Sequence, residues 1–119
     1  MMATENVGTL LTDLKHRIGA IGVALVGRDG LVAYADLPAG AYAETFSVMC
    51  ATILGASVTA SAELGHGSPE RILIEGDESK TVIVASGAHA LLVAAVAPAA
   101  SVPDVVGEMT KFADLLKTG

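Results

Sequence analysis

Tryptophan is absent from this chain of 119 residues, and aromatic residues make up only 3%. Ligand cavities are lined largely by apolar and aromatic side chains, so a chain this poor in rings has little to build one from. Cysteine occurs once, as Cys50, which excludes an intramolecular disulfide. Lysine and arginine number 7 against 13 carboxylates, a formal net charge of −6. Nucleic-acid binding is driven by lysine and arginine on phosphates, so this balance speaks against a nucleic-acid partner. The pairs Gly19–Gly22, Gly27–Gly30 and Gly65–Gly67 carry neither a P-loop lysine nor a full dinucleotide fingerprint. The N-terminal MMATENVG shows neither the cationic start nor the apolar run of a secretion signal. A reducing cytoplasm fits a chain with one thiol.

What is abundant is small apolar residues. Hydrophobic residues reach 52% and the mean hydropathy is +0.59. A single domain of this length (1–119) has one real core, and this much apolar surface favours an oligomer.

The stretch around which the chain is organised is Tyr42 to Leu64, YAETFSVMCATILGASVTASAEL. It has no proline and no charge between Glu44 and Glu63. Phe46, Met49, Cys50, Ile53 and Leu54 recur at helical spacing and predict the core-facing stripe. A second stripe, Val48, Ala51, Gly55, Val58 and Ala62, is made mostly of small residues. Glycine in mid-helix costs about 1 kcal/mol against alanine, so Gly55 suggests a close backbone approach. Thr45, Thr52, Thr59 and Ser61 form a polar but uncharged remainder. The helix reads as covered on one side by its own sheet and on the other by a second protein surface. As a membrane span it is disfavoured by its threonines and serines and by the lack of flanking lysine or arginine, so no direct membrane insertion is expected.

Around it the chain reads in order. Asn6 to Ile18 is an amphipathic helix stopped by Gly19. Ile21 to Val26 is apolar on both faces, a strand in a covered sheet. Asp29-Gly30 signals a hairpin turn, and Leu31 to Ala35 returns from it. After the long helix, Gly65 to Pro69 is a stop. Arg71–Glu75, Lys80–Ser86 and His89–Val96 are three strands joined by short turns. Ser101 opens a last helix whose Val105, Met109, Phe112 and Leu116 face the core. The fold class is therefore α+β with antiparallel strand pairs.

Little chemistry is visible. Cys50 sits on an apolar stripe without a histidine or a second cysteine at motif spacing, which reads as an inert buried thiol. His16, His66 and His89 lack metal-ligand spacing. No catalytic residue, metal or cofactor is expected.

The hairpin GVALVGRDGLVAYA, the long small-residue helix, the triplet RILIE, KTVIVAS and HALLVAAV, and the closing helix together resemble the Roadblock/dynein light chain family, from about Asn6 to Lys117. The resemblance implies a five-stranded antiparallel sheet in the order 2-1-5-4-3. The long helix is then on one face, with the N- and C-terminal helices on the other. It implies a non-enzymatic homodimer, joined through the third strands and long helices. It implies a small Ras-like GTPase as partner, of the gliding-motility type in prokaryotes. The implied dimer contact is Arg71, Ile72, Leu73 and Ile74 with Ala51, Gly55, Val58 and Ala62. The implied partner face is Glu44, Val48, Thr52 and Thr59. The alternative is a profilin-like ligand-sensing or structural adaptor domain, which needs convergent polar groups in a cavity.

Overall fold

A computed structural model describes residues 4–118; the first residues of the N-terminal stretch read above lie outside the described residues. The elements run α1 (Thr4–Ile18), β1 (Gly22–Gly27), β2 (Val32–Asp36), α2 (Ala43–Glu63), β3 (Arg71–Glu75), β4 (Lys80–Ser86), β5 (Ala90–Val96) and α3 (Val102–Thr118). The strands form one antiparallel sheet in the order β2-β1-β5-β4-β3, the order the resemblance implied.

This order explains the length of α2. It connects β2 to β3, the two opposite edges of the sheet. Four strand spacings are roughly 19 Å, and 21 helical residues span about 30 Å, so the helix crosses the whole sheet. Gly65, with φ +73°, then turns the chain away. The N–H groups of Gly65 and His66 return to the carbonyls of Ala62 and Ser61 at 3.0 and 2.9 Å.

Two apolar layers sandwich the sheet. Against α1 and α3, the buried Val23, Leu25, Val82, Val84, Leu92 and Ala94 meet Leu11, Leu14, Val105, Met109, Phe112 and Ala113. On the other face, Ala24, Val26, Ile83, Leu91 and Val93 meet Cys50 and Leu54 of α2. β1 and β5 alternate between these two layers and are buried on both. That is why they read as continuous apolar runs. The first layer carries three of the four α3 residues expected in the core as fully buried side chains, with Leu116 half-buried at its margin.

α1 is tied down at the sheet edge. A Cβ on Gly8 would lie 3.0 Å from the ring of Tyr34 in β2, so glycine lets helix and ring meet. Two turns on, the Lys15 Nζ donates to Asp36 Oδ1 at 3.1 Å. At the other end of the sheet the Arg28 guanidinium, in the β1–β2 turn, donates to the Gly87 carbonyl at 3.0 Å, joining that turn to the β4–β5 turn.

Candidate functional site: the free face of the long helix

α2 rests on the sheet through Ser47, Cys50 and Leu54, with Phe46, Ala51 and Ile53 packed beside them. This corrects one expectation. Met49, expected in the core stripe, is 51% exposed, while Ser47 is fully buried in its place. The helix is turned by about one position from the reading of its apolar stripes. A helix with apolar residues all round does not declare its phase.

The outward half of α2 carries Glu44, Thr45, Val48, Met49, Thr52, Gly55, Ala56, Thr59, Ala60, Ala62 and Glu63, all exposed. The four residues implied as a partner face, Glu44, Val48, Thr52 and Thr59, therefore lie together on it. The implied dimer set divides. Gly55 and Ala62 are on the free face, whereas Ala51 and Val58 are half-buried at its margin, Ala51 against the protein's own core. A Cβ on Gly55 would meet open space, so the close approach suggested by its glycine is not made by any other element among the described residues.

The threonines on this face are less polar than their type suggests. The Thr52 hydroxyl donates back to the Val48 carbonyl at 2.8 Å, and that of Thr59 to the Gly55 carbonyl at 3.3 Å. Their hydroxyls are thus held within the helix. The middle of the face combines such groups with Val48, 44% exposed, and Met49. Little desolvation opposes covering it, and depletion of charge marks the centre of a protein interface. Length and composition alone would also admit α2 as a membrane span, but its other half is seated on the sheet.

A second free element lies at the sheet edge. Among the described residues, β3 pairs with β4 on one side only. Arg71, Leu73 and Ile74 are exposed; Ile72 is half-buried and packs on the α2-side core. Exposed, apolar edge strands are seldom left unpaired.

The remaining chemistry is quiet. Burial pushes the Cys50 thiol up to about 11, which keeps it protonated and unreactive. No cluster of three or more metal-ligating side chains occurs among the described residues. Between α1 and α3 lies a cavity of about 90 Å³ beside Leu14 and Phe112, rimmed by Asp13, Arg17, Glu108 and Lys111. These four charges are joined in a chain: Arg17 to Asp13 at 2.8 Å and to Glu108 at 3.3 Å, and Lys111 to Glu108 at 3.1 Å. The hydrogen bond from Lys111, with the charges of Lys111 and Arg17, holds the Glu108 carboxyl below its ordinary range. The cavity is small for a ligand site, typically about 300–1,000 Å³, and its charged rim is already paired.

Comparison with known proteins agrees with this architecture. The sequence pattern of the Roadblock/LC7 domain matches residues 6–95. The uncharacterized protein MJ0310 of Methanocaldococcus jannaschii is 36% identical over 87 residues, covering 73% of this chain and 76% of that one. Among solved structures, MglB of Myxococcus xanthus superposes with a TM-score of 0.92 at 16% identity, covering 99% of this chain and 90% of that one. An MglB structure described with a tetrameric arrangement gives 0.85 at 21% identity, covering 98% and 89%. Profilin IA of Acanthamoeba castellanii gives 0.65 at 17% identity, covering 92% and 94%. Likeness at such identities establishes the shared fold.

Proposed function

The chain belongs to the Roadblock/LC7 family, and from that premise we propose that it is a non-enzymatic homodimeric regulator or scaffold that binds a small Ras-like GTPase in the cytoplasm. The observation that carries this reading is the outward half of α2, free of charge from Thr45 to Ala62 and exposed along its length. A surface of that kind is suited to being covered by protein. Two of them side by side, related by a two-fold axis, would form a broad composite platform. The tetrameric MglB relative supports self-association as a habit of this fold.

A Ras-like GTPase rearranges its switch loops with the γ-phosphate, so a platform touching them discriminates nucleotide states. It shifts that equilibrium only as far as its affinities for the two states differ. No lysine or arginine occurs between Arg28 and Arg71, and the Arg28 guanidinium is held on the Gly87 carbonyl. An arginine finger supplied in trans contributes about 10³–10⁵ in rate. Lacking one on this face, the dimer would act by ordering the partner's own residues.

The test takes the small Ras-like GTPases of the same genome, each loaded with GDP or a non-hydrolysable GTP analogue, and titrates them by calorimetry. Binding in one nucleotide state, at one GTPase per dimer and abolished by Val48→Asp or Thr52→Asp, is expected. Absence of binding in both states, or binding untouched by these variants, contradicts the proposal.

A further inference from the structure

The uncharged middle of α2 ends on the same pair of features at both extremes. At its start Glu44 is exposed, and Tyr42, two residues before it, is 79% exposed. At its finish Glu63 is exposed, and Leu64 beside it is 72% exposed. Neither carboxylate enters an ion pair among the described residues. We infer that the partner seated on the free face of α2 presents an apolar centre flanked by lysine or arginine, with a cationic side chain for each end of the helix. This rests on the GTPase reading above and adds to it the chemistry of the face that the GTPase presents.

Distance lets one partner reach both ends. From Glu44 to Glu63 is about 28 Å along the helix axis. One side of a standard interface covers about 800 Å², a round patch about 32 Å across. A patch centred on α2 therefore sets both carboxylates at its rim and the uncharged residues at its centre, the usual distribution of charge in a protein interface.

The chemistry of each end suits a long cationic side chain. Lysine and arginine lay their methylene stems on apolar surface and keep the charged head apart from it. Leu64 supplies such a surface and Glu63 the charge. At the other end Tyr42 supplies a ring on which an arginine can stack. The fold itself gives Glu44 a reason, because a carboxylate in the first turn meets the positive end of the helix dipole. It gives Glu63 none, because the last turn is the negative end and holds no basic residue. Glu63 is locally unfavourable, and a partner cation relieves it.

The wider charge distribution agrees. α1 and α3 carry five carboxylates against four cations, close to balance. The residues from Arg28 to Lys80, with α2 among them, carry eight carboxylates against three cations. Opposite charge at two facing rims speeds the encounter more than it tightens the complex, and salt screens it over about 8 Å at physiological strength.

Association kinetics test this. The small Ras-like GTPases of the same genome, in each nucleotide state, are mixed with wild type, Glu44→Lys, Glu63→Lys, Glu63→Gln and Asp104→Lys by stopped flow. Wild-type association is expected to slow about tenfold between about 20 and about 300 mM salt. Glu44→Lys and Glu63→Lys should each slow it by about three- to tenfold at low salt, with dissociation little changed. Asp104→Lys makes the same change of charge on α3, across the sheet from α2, and should leave the rate within about twofold. Glu63→Gln should slow association while its denaturant midpoint holds or rises. Binding at a rate indifferent to salt and to the α2 variants, or slowed equally by Asp104→Lys, overturns the charge inference and leaves the GTPase reading standing. A fall in the Glu63→Gln midpoint also overturns it, by giving Glu63 a structural role. No binding by any GTPase in either state overturns both.

Discussion

Gly30, in the β1–β2 turn, lies directly against Val48 of α2: a Cβ on Gly30 would sit 3.1 Å from Val48 Cγ2 and 3.5 Å from its Cα. Gly30 also has φ +92°, and the turn is closed by the Leu31 N–H donating to Asp29 Oδ1 at 3.0 Å. One glycine thus serves two purposes, a left-handed turn residue and a seat for the N-terminal half of the long helix.

Replacing it should be felt twice. Gly30→Ala imposes a left-handed conformation on a residue with a Cβ, about 1–2 kcal/mol, and pushes on Val48 besides. A loss of about 2–3 kcal/mol is expected from chemical denaturation. Because Val48 lies on the free face, the partner's affinity should fall too.

Ser47 should behave in the opposite sense. It is fully buried between α2 and the sheet, and its hydroxyl has no hydrogen-bond partner among the described residues. An unsatisfied buried hydroxyl costs about 1–3 kcal/mol, and alanine is the better helix former. Ser47→Ala is expected to raise the denaturant midpoint. A clear drop would show that the hydroxyl is satisfied in solution.

Cys50 provides a pH test. Burial raises its folded pKa to about 11 from an ordinary value of 9.0. Since the folded value is the higher one, the stabilising contribution is complete below about pH 9 and is lost as pH climbs through about 11. Wild type should therefore lose stability between these values, and Cys50→Ala should lose less. At pH 8 the native thiol should resist a disulfide reagent that labels it at once in denaturant. Partner binding should survive Cys50→Ala.

Gly55 distinguishes the stability of the chain from the proposed self-association. A Cβ there would meet open space among the described residues, so Gly55→Ala should strengthen the helix by up to about 1 kcal/mol. Gly55→Leu should weaken self-association more than Gly55→Ala, as overpacking does where backbones approach. Dilution experiments that follow dimer dissociation would separate the two effects.

Much of this architecture was legible in the residues. RILIE and KTVIVAS give β3 and β4 to the residue, and Asp29-Gly30 gives the hairpin, because turn chemistry and strand runs are local properties. The apolar spacing of α2 does not fix its phase, and Met49 is exposed, because apolarity is spread around that helix. The threonines held the missing signal. Thr45, Thr52 and Thr59 recur every seven residues and mark the centre of the free face. Half a turn away lie Ser47, Cys50 and Leu54, the buried side. Contacts between distant segments had no local signature. Arg17 meets Glu108, 91 residues on, and Arg28 meets Gly87 only because two turns share one end of the sheet. Helical spacing alone sets Glu44, Val48, Thr52 and Thr59 on one stripe of α2; that this stripe is the exposed one, with Ala51 against the core, needed the fold.

The most direct measurement is the mass in solution of this 11.9 kDa chain, by sedimentation equilibrium, alone and with a cognate small GTPase in each nucleotide state. A homodimer that takes up one GTPase in one nucleotide state is the predicted result. A chain that stays monomeric at micromolar concentration and adds no mass from either form of the GTPase would contradict it.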